Sequence, residues 1–151
     1  MVAGPEQICH FGVVLPDLAE GMAEYTRVFG TTWPDPLTLE RDFRLGDGTV
    51  FGASLRVVYS REGPPWVEMM QEIPGTPWTA VSPAGVHHVA VWSDDIVGDS
   101  RELVAAGAVL ELTYDGPEPV QGFAYHRLVN GTRFELVDVS LRSGIEEWTR
   151  S

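Results

Sequence analysis

At 151 residues, 44% of them hydrophobic and 21% charged, the chain has the composition of one globular domain with a sizeable core, not of a disordered segment. Its 22 acidic residues face 10 basic ones, a formal net charge of −12, and every basic residue is an arginine; this argues against nucleic-acid binding, which needs clustered positive charge, and against lysine Schiff-base chemistry. The apolar runs are a few residues long, far short of the roughly 20 that a membrane-spanning helix needs.

The N-terminus, Met1-Val2-Ala3-Gly4-Pro5-Glu6, has neither the basic start nor the apolar stretch of a secretory signal. The single cysteine, Cys9, has no internal partner for a disulfide, so a reducing, cytoplasmic setting is the expectation. A short strand-like run begins at about residue 8. Asp17 can then cap a helix, with Glu20 three positions on completing a capping box. Met22, Tyr25, Thr26 and Phe29 recur on one helical face, and Gly30 stands where a left-handed terminator is wanted. Strands are expected near 39–45, 53–60 and 66–72, separated by Gly46-Asp47-Gly48 and Glu62-Gly63-Pro64-Pro65. The stretch 73–85, with Pro74, Gly75, Pro77 and Pro83, reads as a linker.

The second half repeats the first. His88-Val89-Ala90-Val91 opens a strand, Asp94 or Asp95 starts a helix carrying Ile96, Leu103 and Val104 on one face, and Gly107 stops it. Strands follow near 108–114, 122–129 and 132–139, the last two joined by Asn130-Gly131, a strong hairpin signal. Residues 140–151 form a tail with a short helix ending near Trp148. The two halves keep a constant offset of 78 residues (10 to 88, 17 to 95, 18 to 96), each reading His, apolar, small, apolar, then an Asp followed by an aliphatic residue.

The expected fold is therefore α+β: two tandem βαβββ modules, about 8–72 and 86–139, forming a curved eight-stranded mixed sheet around a central cavity. One such unit covers a single sheet face with its helix and leaves the other to be buried by a partner module. A ligand would sit in the resulting concavity.

Four stretches carry a resemblance to the vicinal oxygen chelate superfamily: Cys9-His10-Phe11-Gly12, Trp66-Val67-Glu68-Met69-Met70, Gly85-Val86-His87-His88-Val89-Ala90 and Arg133-Phe134-Glu135-Leu136-Val137. That superfamily includes glyoxalase I, methylmalonyl-CoA epimerase, extradiol dioxygenases, and fosfomycin and bleomycin resistance proteins. The resemblance implies His10, Glu68, His88 and Glu135 as ligands of one divalent ion, and the four make two His/Glu pairs related by the repeat. Two imidazoles and two carboxylates suit Zn²⁺, Ni²⁺, Co²⁺, Mn²⁺ or Fe²⁺. His87 competes with His88 for the ligand role. Strand alternation sets the two on opposite faces, and the register with His10 selects His88, so His87 is expected outward or toward the helices.

A two-residue turn at Asn130-Gly131 would place His126 opposite Glu135, inside the cavity, as a partner of that carboxylate or a proton carrier. Val14, Trp92 and Met70 share faces with His10, His88 and Glu68, while Phe51, Phe123 and Tyr125 have no settled facing. The resemblance further implies an isomerase or lyase of glyoxalase or epimerase type acting on a small molecule, with Glu135 or Glu68 as base, His126 in reserve, and pairing as a homodimer. The rival from the same superfamily is a bleomycin-type drug-binding protein, to which the acidic charge is suited. An extradiol dioxygenase, with two His and one carboxylate, fits the four-ligand set less well.

Overall fold

A computed structural model describes Val2 and residues 4–151. The elements run β1 (Ile8–Leu15), α1 (Leu18–Phe29), β2 (Leu37–Leu45), β3 (Val50–Tyr59), β4 (Trp66–Gln71), β5 (His88–Ser93), α2 (Ile96–Ala105), β6 (Val109–Tyr114), β7 (Phe123–Arg127), β8 (Arg133–Asp138) and α3 (Arg142–Arg150). Each half is thus strand, helix and three strands. The eight strands form one mixed sheet curved until it closes, in the order β1-β4-β3-β2-β6-β7-β8-β5. Within each module the first and last strands are parallel neighbours, β1 with β4 and β5 with β8. The modules join twice, antiparallel, through β1 with β5 and β2 with β6. Among the described residues no helix is long and apolar enough to cross a membrane.

Local chemistry sets the helix ends. Asp17 accepts the Glu20 backbone N–H at 2.9 Å, and Gly30 closes α1 with φ 71°, a left-handed conformation that costs glycine no side-chain clash. Of the two candidates for the second cap, Asp95 takes the role, accepting the Gly98 N–H at 3.0 Å. The alternation of β4 separates Met69, which packs under α1 with Leu18 and Val58, from Glu68 and Met70, which face the barrel interior. In the other module Val91, Ala124 and Leu136 pack beneath Ile96 of α2. The interior holds the larger cluster, with Phe43, Leu55, Val57, Trp78, Leu112 and Phe123 among its members.

The last hairpin departs from expectation. The Gly131 N–H donates to Leu128 O at 2.9 Å and the Leu128 N–H to Thr132 O at 2.9 Å, with Gly131 at φ 89°. The loop therefore has three residues, 129–131, ending in a left-handed glycine, where Asn130-Gly131 alone suggests two. The register moves by one: Tyr125 pairs with Glu135, and His126 with Phe134. A one-residue slip exchanges the faces of a strand. His126 accordingly points away from the cavity, a correction to its expected place beside Glu135.

Candidate metal centre

The closed sheet makes β4, β1, β5 and β8 consecutive neighbours. Registers His10↔Ala90, Gly12↔His88, Gly12↔Glu68 and Ala90↔Glu135 bring one His or Glu from each of the four strands to the same level of the inner wall. There the side chains converge. His10 Nε2 lies 3.0 Å from His88 Nε2 and 2.8 Å from Glu135 Oε2, and His88 Nε2 lies 3.0 Å from both Glu68 Oε2 and Glu135 Oε2. All four ligand atoms fall within 4.8 Å of one another, and all four residues are buried.

These spacings fit a metal ion. Ligands held about 2.1 Å from one ion stand about 3.0 Å apart at right angles and about 3.4 Å apart at a tetrahedral angle. A proton bridges two heteroatoms; here four point at one centre. Glu68 Oε2 is buried and makes no well-directed hydrogen bond although it lies close to both imidazoles. A buried carboxylate oxygen left so is costly, and a cation at the centre would satisfy it.

The electrostatics are those of a quartet arranged around positive charge. Burial drives the His10 imidazole toward its neutral form, but Glu68 and Glu135 overcome this and raise its pKa well above the ordinary value. His88 moves the same way, burial again opposing and Glu135 contributing most to the rise. Burial pushes both carboxylates upward, and the two histidines outweigh it and hold each below the usual range.

Neighbours fix the ring orientations. His87 Nε2 is 2.7 Å from Pro77 O, a group that only accepts, so Nε2 carries the proton and Nδ1 of the neutral ring is an acceptor. His87 Nδ1 lies 2.9 Å from His88 Nδ1, which must donate to it, and the lone pair of His88 Nε2 is left facing the centre. Burial, then His88, depress the His87 pKa to about 4, in keeping with a neutral ring. On the other side Tyr59 Oη lies 3.2 Å from His10 Nδ1. In the neutral ring, with Nδ1–H donating to that hydroxyl, His10 Nε2 also presents a lone pair.

The structure thus brings together His10, Glu68, His88 and Glu135, and leaves His126 apart. The His126 ring lies against α2, its Nε2 sharing a 2.8 Å hydrogen bond with Ser100 Oγ. His87 is also placed differently from the outward expectation: it precedes β5, so strand alternation does not reach it, and it serves as the hydrogen-bond partner of His88. Tyr125 takes the inward place, its ring 4.9 Å from that of His88 and its hydroxyl accepting the Trp78 Nε1–H at 3.2 Å. No sequence signal marked His87 as a partner, whereas the length of one hairpin loop would have found Tyr125.

In front of the quartet lies a cavity of about 290 Å³. Glu68 and Glu135 are on its wall and the two histidines stand behind them. Ile145 and Trp148 of α3 run along its mouth, Trp148 with its ring 5.5 Å from Tyr59 and its Nε1–H donating to Asp35 O at 3.1 Å.

A family model described as the glyoxalase/bleomycin resistance protein/dioxygenase superfamily matches residues 9–126. That span includes three of the four converging residues and ends before Glu135. No curated protein matches the chain. Among solved structures, a Streptomyces coelicolor methylmalonyl-CoA epimerase variant in complex with 2-nitronate-propionyl-CoA is 18% identical, covering 87% of this chain and 96% of its own, with a TM-score of 0.53. The Mycobacterium tuberculosis methylmalonyl-CoA epimerase is 16% identical over 91% of this chain and 92% of its own, with a TM-score of 0.58. A hypothetical protein from Bacillus halodurans is 14% identical over 87% and 92%, with a TM-score of 0.57. At such identities these likenesses concern the fold.

Proposed function

This chain belongs to the glyoxalase/bleomycin resistance protein/dioxygenase superfamily, the vicinal oxygen chelate proteins, and from that membership and the geometry of the quartet we propose a metal-dependent isomerase or lyase that moves a proton next to a carbonyl. The observation that carries the proposal is the convergence of four buried ligand atoms within 4.8 Å, with both carboxylates on the wall of a cavity.

His10, Glu68, His88 and Glu135 would hold the ion. When bound it would supply a Lewis acid that polarises a carbonyl and offsets negative charge developing on its oxygen. The protein's own part follows from position. Glu68 and Glu135 stand between the imidazoles and the cavity, so either carboxylate can take a proton from the carbon beside the carbonyl and return it on the same or another face. Both lie against the imidazoles, Glu135 Oε2 2.8 Å from His10 Nε2 and Glu68 Oε2 3.0 Å from His88 Nε2, so position alone does not rank them. Aromatic side chains line the space in which the carbanion-like species would form.

The test joins metal content to exchange. Elemental analysis of purified protein is expected to give one divalent ion per chain, lost in His88→Ala. Deuterium uptake next to the carbonyl, followed by proton NMR over 2-oxo acids, hydroxyketones and thioesters, is expected for the parent and reduced by about 10²-fold or more in Glu68→Gln and Glu135→Gln. Parent-rate exchange in both variants would remove the catalytic reading. A metal-free protein that binds drugs would instead favour sequestration, the reading to which the apolar cavity and the charge of −12 also lend themselves.

A further inference from the structure

The inward row of β2 reads Leu37, Leu39, Arg41, Phe43, and all four line the cavity. One guanidinium thus interrupts an otherwise apolar row. In a chain with more than twice as many acidic as basic residues, acidic partners are available, and Arg44, Arg127 and Arg133 have them in Asp115 and Glu111. Arg41 has none: its only partner among the described residues is the ring of Tyr114, whose centroid lies 5.6 Å from the guanidinium carbon. Arg41 is exposed, whereas Glu68 and Glu135 on the same cavity wall are buried, so the lining has an exposed cationic end and a buried acidic one.

Between these ends the wall is aromatic. Phe43 meets Trp78 edge-on at 4.8 Å, Tyr114 meets Phe123 edge-on at 4.8 Å, and Tyr125 lies beside His88. Rings in such a slot prefer a planar guest in offset or edge contact. The volume of about 290 Å³ is at the small end for ligand pockets and is too little to enclose a nucleotide-bearing thioester. The polyanionic half of such a thioester would have to lie on a surface that is itself acidic.

We propose that the substrate is a compact aromatic acid. Its planar body fills the slot, its oxygen-bearing reactive end meets Glu68 and Glu135, and its single carboxylate reaches Arg41, whose planar fork suits a carboxylate. The proposal rests on the quartet being the reaction centre, and it differs from the thioester substrates of the epimerase neighbours in size and in charge.

The experiment is a calorimetric titration of the purified protein with 3-phenylpropanoate, 3-phenylpropan-1-ol, hexanoate and acetyl-CoA, with metal content measured on the same samples. The aromatic acid is expected to bind about tenfold more tightly than the alcohol and the aliphatic acid, and acetyl-CoA more weakly than all three. Arg41→Gln should abolish the preference for acid over alcohol, with alcohol affinity and melting temperature within error of the parent. Equal affinity for acid and alcohol, a preference that survives Arg41→Gln, or tightest binding of acetyl-CoA would each overturn the proposal. A protein without metal that keeps the Arg41-dependent preference would sink the metal-dependent activity and leave this selectivity standing.

Discussion

The Nδ1 atoms of His87 and His88 lie 2.9 Å apart, and the His87 Nε2–H ends on the Pro77 carbonyl at 2.7 Å. The linker between the modules is thereby tied to the second histidine of the quartet through one imidazole. Removing that tie frees the His88 ring to turn and to change tautomer. Replacing His87 with Ala is expected to weaken Zn²⁺ binding by about 10–100-fold, with stoichiometry unchanged at saturating metal. His87→Asn keeps an acceptor near the place of Nδ1 and should recover part of the affinity. Competition titration with a chromophoric chelator reads both. Parent affinity in His87→Ala would show that the bond does not orient His88.

A second relationship concerns Gly12. A Cβ built on Gly12 would stand 1.9 Å from His88 Cε1, so the ring fills the space that any side chain there would need. Gly12→Ala must displace His88, and a misplacement near 1 Å can lower a rate by about 10²-fold. The expected outcome is loss of metal from purified protein, with far-ultraviolet circular dichroism retained because the β1–β5 pairing does not depend on the ring. Full metal content in this variant would contradict the assigned contact.

Gly12 also shows why so much of the site was legible. The repeat reads His, apolar, small in each half, and the pairing explains the third position: Gly12 lies opposite His88, and Ala90 lies opposite His10. Each small residue makes room for the other module's histidine, so the motif encodes a contact across the module boundary. Helix ends were legible because caps are local, Asp17 and Gly30 acting within a few residues of themselves. The face of His126 was not. It depends on whether the loop after β7 has two or three residues, and Asn130-Gly131 is compatible with both. Closure into a barrel was also beyond local signals, because the backbone pairing of β2 with β6 is confined to Phe43, Arg44 and Leu45 at the far side of the sheet.

The outward place of His126 leads to a different expectation from that for the quartet. Its Nε2 shares a 2.8 Å hydrogen bond with Ser100 Oγ in the layer between β7 and α2, where both side chains are buried. Ser100→Ala leaves a buried ring nitrogen without that partner and should cost about 1–3 kcal/mol of stability. Metal content and exchange activity should stay at parent values. A loss of activity at unchanged stability would return His126 to the reaction, contrary to the register.

The pH dependence of metal binding follows from the shifts within the quartet. Burial opposes the charge on His10, yet Glu68 and Glu135 carry its pKa well above the ordinary value, so the metal-free protein favours the protonated imidazole more than a free histidine does. That interaction stabilises the metal-free fold below the unfolded-state pKa of histidine and fades as pH rises through the raised folded value. The depressed Glu68 and Glu135 act in the other sense, stabilising above the ordinary carboxylate range and ceasing to do so as pH falls through their lowered values. A metal ion must displace the imidazole proton, so Zn²⁺ affinity should rise by about tenfold per pH unit between about pH 6 and 8 for each proton lost. Titration of weakly buffered protein with Zn²⁺ is expected to release about one proton per ion, or two if His88, which is raised in the same way, is also charged. An affinity independent of pH, with no proton released, would mean that the ion binds somewhere other than between these imidazoles.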